Sequence, residues 1–283
     1  MNFCSRECIA AGEPRAGTGV RAQAYVFLPV AKRLWGEREF NARWASPEEL
    51  EAIRAARAGG VVTRLYNPQP GIEAALVYRG PTAAAGLEPL LETVSRRWPV
   101  LADEAPRFAV CTQGKRERCC AKWGYAVFSR ASALHAQGRF PFQPLECSHL
   151  GGDRFAATGL VFPSGSMYAH LDTVDLGDLG AAEAAGRIAP AIYRGRVYDT
   201  PLAQVARAGL ARDGLLNHGT TPLQVEALAP HQVEATATDL GLSFRVSLDQ
   251  AEIDFVASCD HLEVHRRSKA RRTVYVAGAP AAP

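Results

Sequence analysis

Apolar and polar positions along the chain sort it into short strand-like runs and helical segments. Residues 20–30, "VRAQAYVFLPV", are mostly apolar and are entered from a Gly-Thr-Gly turn, the pattern of a buried strand. "SPEELEAIRAARAGG" predicts a helix: Ser46 is the N-cap, Pro47 takes the first helical position, Glu49 completes a capping box, and Gly59-Gly60 is the stop. "VVTRLY" and "AALVYRG" read as two further strands, with turn chemistry in the intervening "NPQPG". "GLEPLLETVSRRW" has a helical apolar period and carries its basic residues at the C-terminal end, where the macrodipole favours them. These elements form one α/β unit over residues 1–105.

A second unit spans residues 106–193. "RFAVCTQG" is a short apolar strand running into a polar loop, and "WGYAVFSRASALHAQG" is a helix stopped by Gly138. "FPFQPLE" is another strand, "FAATGLVFPSGSMYAHLD" a hairpin turning at Pro163-Ser164-Gly165, and "LGAAEAAGRIAPAIY" a closing helix. The order strand, cysteine loop, helix, strand, cysteine loop, hairpin, helix is that of a small thioredoxin-like domain. Residues 194–283 make a third region: a helix capped by Thr200 with Pro201 at its first position, antiparallel strands in "HQVEATATDLGLSFRVSLD" and "EIDFVASC", and a tail, "GAPAAP", expected to be disordered. No internal repeat is evident. The fold class expected is α/β, in α+β layers, with the thioredoxin-like unit flanked by the other two.

A length of 283 residues fits two or three compact units, and 47% apolar residues are ample for a core. A formal net charge of +3 argues against nucleic acid as a partner. "MNFCSRECIAAGEPRAG" lacks the apolar stretch of a signal peptide, and no apolar run reaches the roughly 18 residues of a membrane span. A cytoplasmic protein with no membrane partner is therefore expected. In that setting the seven cysteines read as reduced thiols or metal ligands rather than a disulfide framework. A single cysteine is commonly a small buried hydrophobe; the clustering of the middle four points elsewhere.

Two loops carry the candidate chemistry. "CTQGKRERCC" holds Cys111 and Cys120 with eight residues between them, and Cys119 beside the second. "ECSHLGGDRF" holds Cys147, His149 and Asp153 around Gly151-Gly152. Each follows a predicted strand, so both can emerge at one edge of a sheet. Iron–sulfur clusters need thiolates or neutral imidazoles from two segments that pinch the cluster, with backbone N–H groups donating to its sulfides. Lys115, Arg116 and Arg118 would offset the charge of a thiolate-bound cluster. A Cys₃His zinc site could use the same residues, although the spacings are not the C-x₂₋₄-C knuckles that zinc usually takes. A thiol–disulfide protein without any cluster, using Cys119-Cys120, is a further alternative, weakened by the lack of a C-x-x-C motif.

From "CTQGKRERCCAKWG" through "ECSHLGGDRFAATGLVFPSGSMYAHL" the chain resembles the sucrase/ferredoxin-like family, whose core is a thioredoxin-like [2Fe–2S] ferredoxin. The N-terminal "CSRECIAAGEPRAGTGVRAQAYVFL" and the "SC" at Ser258-Cys259 are similar to that family as well. The resemblance implies a [2Fe–2S] cluster and electron transfer rather than stand-alone enzymatic activity, with no support for a sugar hydrolase. Cluster-bearing members use two cysteines with eight residues between them and an H-x-x-x-H pair, which carry over to Cys111, Cys120 and His149. The second histidine falls on Asp153, a hard ligand uncommon in such sites. The preferred fourth ligand is Cys147, two residues before His149 and so on the same face of an extended segment. Direct ligation by Asp153, or a site holding a less stable cluster or none, are the alternatives. A histidine ligand would raise the potential above that of all-cysteine ferredoxins. Gly151 and Gly152 would allow close backbone approach to the cluster, and Lys115 and Arg154 would tune its charge. No flavin or nicotinamide fingerprint occurs, so a separate redox partner protein is expected.

The remaining features have plain readings. His170 is expected to pack or to lie at the surface rather than ligate, and Asp172 with Asp175 is a solvated pair. The run "RRSKARR" (266–272) is a solvated face or a dock for an acidic redox partner. Gly17-Thr18-Gly19 precedes a strand rather than a helix and is a turn, not a phosphate cradle. Cys4 and Cys8 lie in a terminus expected to be mobile.

Overall fold

The computed structural model describes residues 3–229, 232–260 and 270–277. A short helix, α1 (Cys4–Ala10), precedes strand β1 (Ala24–Pro29), which is buried at all six positions. The burial is two-sided. Ala24, Val26 and Leu28 enter one core and Tyr25 and Phe27 another, as the two-residue period of a strand covered on both faces requires. Helix α2 (Pro47–Ala58) has the expected capping box: Glu49 N donates to Ser46 Oγ over 3.1 Å, and Ser46 N donates to the Glu49 carboxylate over 2.7 Å. Strand β2 (Val61–Tyr66) pairs parallel to β1, and β3 (Ala75–Arg79) pairs antiparallel on its other side. After α3 (Leu87–Ser95), the three-residue β4 (Val100–Ala102) adds parallel to β3. All of β4 is exposed, so no burial pattern announces it in the sequence.

The second half repeats this pairing. Strand β5 (Arg107–Cys111), helix α4 (Tyr125–Ala136) and strand β6 (Gln143–Cys147) form a parallel unit, and β7 (Gly159–Phe162) pairs antiparallel to β5. Strand β8 (Ser166–Tyr168) completes the expected hairpin with β7. Helix α5 (Leu176–Ala184) and strand β9 (Tyr193–Arg196) follow, the latter antiparallel to β8. The two halves meet where Tyr66 pairs with Cys147, giving one nine-stranded sheet in the order β4-β3-β1-β2-β6-β5-β7-β8-β9. This sheet runs through the residues of the first two predicted units. A topological repeat is thus present without a periodic sequence, because pairing direction depends on where strands fall rather than on residue identity.

One sequence reading needs correction. The closing helix does not reach Tyr193; it ends at Ala184, and Tyr193 opens β9. Gly186 takes a left-handed conformation (φ 71°), and Pro190 lacks the N–H a continuing helix would use.

Helix α6 (Pro201–Arg212) starts at Thr200, whose Oγ1 accepts from Ala203 N, and residues 203–211 are all buried. It lies against β9 and against a four-stranded antiparallel sheet of β10 (Leu223–Ala229), β11 (Gln232–Ala237), β12 (Leu242–Phe255) and β13 (Ala270–Ala277). The protein is therefore α/β, with a large mixed sheet, its helices and a separate small sheet. Among the described residues no helix is long and apolar enough to cross a membrane. The tail "GAPAAP" and residues 266–269 of the basic run lie outside the described residues.

What positions the site is the side of the large sheet each cysteine takes. Phe108 and Val110 of β5 pack toward the core that also holds Val127 and Ala131 of α4. Ala109 and Cys111 point to the opposite face, with Leu145 and Cys147 of β6. Cys4, Cys119, Cys120 and Cys259 join that same cluster, so six of the seven cysteines share one core.

Candidate metal centre

Cys111 ends β5 in register with Cys147 on the parallel neighbour β6, and Thr112 N donates to Cys147 O over 3.0 Å. The chain then turns: Arg116 N and Glu117 N both donate to Gln113 O, and Cys120 N donates to Glu117 O. A single π-turn, Cys120–Gly124, leads into α4. Such turns carry an extra residue per hydrogen-bonded loop and recur at functional sites. Gly124 makes this one possible. A Cβ there would stand 2.0 Å from the Cys111 carbonyl oxygen, so only glycine lets the turn close against the end of β5.

The second loop is tied to both halves of the sheet. Ser148 N donates to Leu65 O, and Leu65 N donates to Ser148 Oγ over 2.9 Å. His149 N donates to Gln113 Oε1 over 2.8 Å, linking one cysteine loop to the other. Gly151 (φ 86°) and Gly152 (φ 78°) both take left-handed conformations. A Cβ at Gly151 would meet Val20, and one at Gly152 would meet Arg194 and Phe155. These glycines serve the turn and the approach of Arg194, which donates to Gly151 O over 2.8 Å; their near neighbours are not the cysteine sulfurs.

The folded chain brings Cys111, Cys120 and His149 together, with Sγ, Sγ and an imidazole nitrogen all within 4.8 Å of one another. Both thiols are buried, and the His149 side chain retains 18% exposure. His149 Nδ1 lies 3.8 Å from Cys111 Sγ, while Nε2 lies 2.8 Å from Asp153 Oδ1. Asp153 thus sits at the outer side of the ring. A carboxylate on the far nitrogen fixes tautomer and orientation and makes the near nitrogen a better donor to a metal. Cys147 is not among the three atoms that converge; it occupies the adjoining position one strand over, on the same face as Cys111.

The protonation states follow from these contacts. The Cys111 thiol is held well below its usual range, chiefly by a hydrogen bond from Cys120, and Cys120 is raised as the donor of that bond. Burial alone would pull the His149 imidazole down. Hydrogen bonds to Asp153 and to Cys111 outweigh it and raise the ring to about 9. Burial pushes Cys147 up. A thiolate stabilised inside a buried group is a soft donor ready for a thiophilic metal.

Other predicted residues stand elsewhere. Arg154 is buried in an ion pair with Glu13, its Nε 2.7 and 2.8 Å from the two carboxylate oxygens, so its charge is already balanced. Lys115 is exposed on the outside of the first loop. Cys119 turns away from Cys120 and contacts Cys4 and Cys259, which splits the adjacent pair between two groups. Cys4 and Cys8 lie on α1, and both are buried, in place of the mobile terminus expected. Burial of one face of α1 supplies what composition did not signal.

His170 is buried away from the three converging side chains. Its Nδ1 is 3.2 Å from Ala156 O and its Nε2 is 3.7 Å from Cys8 Sγ. Burial first, and the charge of Arg15 second, lower its imidazole to about 4. The unfolded chain would bind this proton near pH 6.5, so the neutral ring contributes stability above that pH and loses it as pH falls toward 4. Wild type is expected to lose on the order of 3 kcal/mol more than His170→Asn across that window, measured by urea unfolding at several pH values. Parallel pH profiles for the two proteins would refute the assignment.

A cleft of about 860 Å³ opens over His149, lined in part by Gln113 and Gly151. Six arginines (Arg21, Arg38, Arg54, Arg57, Arg64 and Arg116) and two glutamates (Glu37 and Glu39) also line it, so its mouth is electropositive.

An α/β protein with paired thiols and an imidazole gathered between two strand-end loops is the class that fold and site define. Residues 20–195 match the sucrase/ferredoxin-like family, and the chain belongs to that family. No curated protein and no solved structure matches the chain.

Proposed function

We propose that this chain holds a [2Fe–2S] cluster and serves as a one-electron carrier or redox module. The observation that carries the reading is the convergence of Cys111, Cys120 and His149, with Asp153 engaging the far nitrogen of the imidazole. The donor set fits the group: two thiols and an imidazole from two loops, with Cys147 on the same face of the adjacent strand as the fourth ligand. When bound, the cluster supplies reversible one-electron chemistry. The chain's own part is to exclude water from both thiols, to orient the ring through Asp153, and to hold a proton at His149 Nε2. The strand order β6-β5-β7-β8 supports a thioredoxin-like core within residues 106–193. Seven buried, free cysteines fit a reducing compartment such as the cytoplasm.

The test is anaerobic purification followed by visible absorption, iron and sulfide assay, and EPR after reduction. Stoichiometric iron and sulfide are expected. Colourless protein without iron after reconstitution would sink the reading, and zinc held by these four residues would establish a structural site instead.

The partner is a separate redox protein whose docking face is acidic, meeting the arginine-lined cleft where His149 comes nearest to solvent. Charge reversal by Arg38→Glu with Arg116→Glu is expected to slow oxidation of the reduced protein by ferricyanide about tenfold at low salt, and to spare oxidation by a cationic cobalt complex. High salt should erase the difference. Identical rates for both oxidants in wild type and variant would remove the cleft from consideration.

A further inference from the structure

Cys119 belongs to a second group, on the far side of the turn from Cys120. Its Sγ lies 3.6 Å from that of Cys4 and 3.3 Å from that of Cys259, and Cys259 and Cys4 are 3.6 Å apart. Three sulfurs therefore form a nearly equilateral triangle. Glu117 lies with them, one potential ligand atom from each of the four residues falling within 4.8 Å of the others, and all four residues are buried. We propose that Cys4, Cys119, Cys259 and Glu117 form a metal site of their own, built to hold a single Zn²⁺ ion.

The geometry and the donor chemistry both point there. The sulfurs stand far beyond the roughly 2.05 Å of a disulfide, so the triangle is not a cross-link. Its edges approach the separation of about 3.8 Å that a tetrahedral ion imposes on sulfurs 2.3 Å from it. A single ion fits this triangle, whereas a binuclear iron–sulfur core would have to spread it. Thiolates with one carboxylate suit a borderline-soft ion such as zinc.

Glu117 is the second indication. A buried carboxylate is costly unless it meets a cation or several donors. Here its oxygens accept from Cys119 N (3.4 Å) and Cys259 N (3.1 Å), the backbone of the same residues whose sulfurs form the triangle. Ser5 Oγ donates to Cys119 Sγ over 3.3 Å, a contact that would spread the negative charge of a bound thiolate set. Binding transfers no electrons: three Zn–S bonds and one Zn–O bond form, and the thiol protons leave to solvent. The ligands come from α1, from the central loop and from residue 259. The ion would pin α1 and the segment at residue 259 to the loop that carries Cys120.

The test separates this site from the [2Fe–2S] reading by using the full-length chain with Cys111→Ser and His149→Ala, which lacks the first site. Titrated with Co²⁺ alone, this chain is expected to take up a single equivalent, with thiolate-to-cobalt charge-transfer bands and the visible bands of a tetrahedral ion, and to release it to Zn²⁺. Adding Cys4→Ser or Cys259→Ser should weaken binding about 100-fold or more. Cys259→His, which restores a zinc ligand, should retain it and so controls for misfolding. No uptake by the double variant, or binding unchanged by both serine substitutions, would overturn the proposal. Failure of wild type to hold iron would leave it standing.

Discussion

Replacing Cys111 or Cys120 by serine is expected to leave the anaerobically purified protein colourless and free of iron, while its far-ultraviolet circular dichroism stays that of the wild type. The two substitutions change one atom each in fully packed positions, so they test ligation more than packing. An alkoxide is a harder donor than a thiolate, and the remaining donors cannot hold the cluster without both sulfurs. The fourth ligand is decided in the same experiment. Cys147→Ala should abolish iron binding, because the proposed fourth ligand is this thiol, on β6 in register with Cys111. Asp153→Ala should retain iron at reduced affinity, about 10- to 100-fold weaker, as expected for loss of the carboxylate that orients the histidine. The reverse result, iron lost in Asp153→Ala and kept in Cys147→Ala, would make Asp153 the ligand and Cys147 a packed thiol.

Gly124→Ala should be nearly as damaging, from a position that carries no chemistry. The added methyl would stand 2.0 Å from Cys111 O, a backbone atom that no rotamer change can move aside. Either the π-turn or the end of β5 has to shift, and Cys120 moves away from Cys111 in both cases. Overpacking usually costs about 1–3 kcal/mol, and a clash with backbone belongs at or above the upper end. The expected outcome is a drop of about 3 kcal/mol in urea-unfolding stability, with iron content below half that of wild type. Gly138→Ala makes a suitable control. Unlike Gly124, which has helical dihedrals (φ −65°), Gly138 is left-handed (φ 69°), but nothing lies within 4 Å of the added carbon, so strain without collision should leave the iron in place. Full iron content in Gly124→Ala would show that the turn relaxes without moving its cysteine.

The contrast between these two experiments marks what could be read in the chain before folding. Ser46 and Glu49 cap α2 as expected because a capping box is closed within four residues, and no tertiary partner is needed to form it. The strands β1 and β5 are legible for a similar reason: their apolar runs require burial on both faces. Strand β4 is three exposed residues without such a run and is placed by its pairing with β3 and its contact with α3. At the site, Cys111, Cys120 and His149 stand out by spacing and by resemblance to the family, and the fold brings them together. Gly124 carries no comparable signal, since its importance lies in a carbonyl thirteen residues earlier.

Cysteine by itself is the clearest case of the division. Composition determines that seven thiols must find a place in a chain without a recognisable disulfide framework, and the resemblance to the family selects Cys111 and Cys120 among them. Which group each remaining thiol joins is a tertiary decision. Cys119 and Cys120 are adjacent, yet both have helical backbone, where successive side chains point about 100° apart, so each faces a different cluster. Cys4 and Cys259 meet Cys119 across 115 and 140 residues of sequence, distances over which no local pattern operates. The chain's local chemistry settled the capping of α2 and α6 and the buried strands and marked one pair of candidate ligands; the stacking of α1 and residue 259 against the central loop, driven by burial of one sheet face, settled the rest.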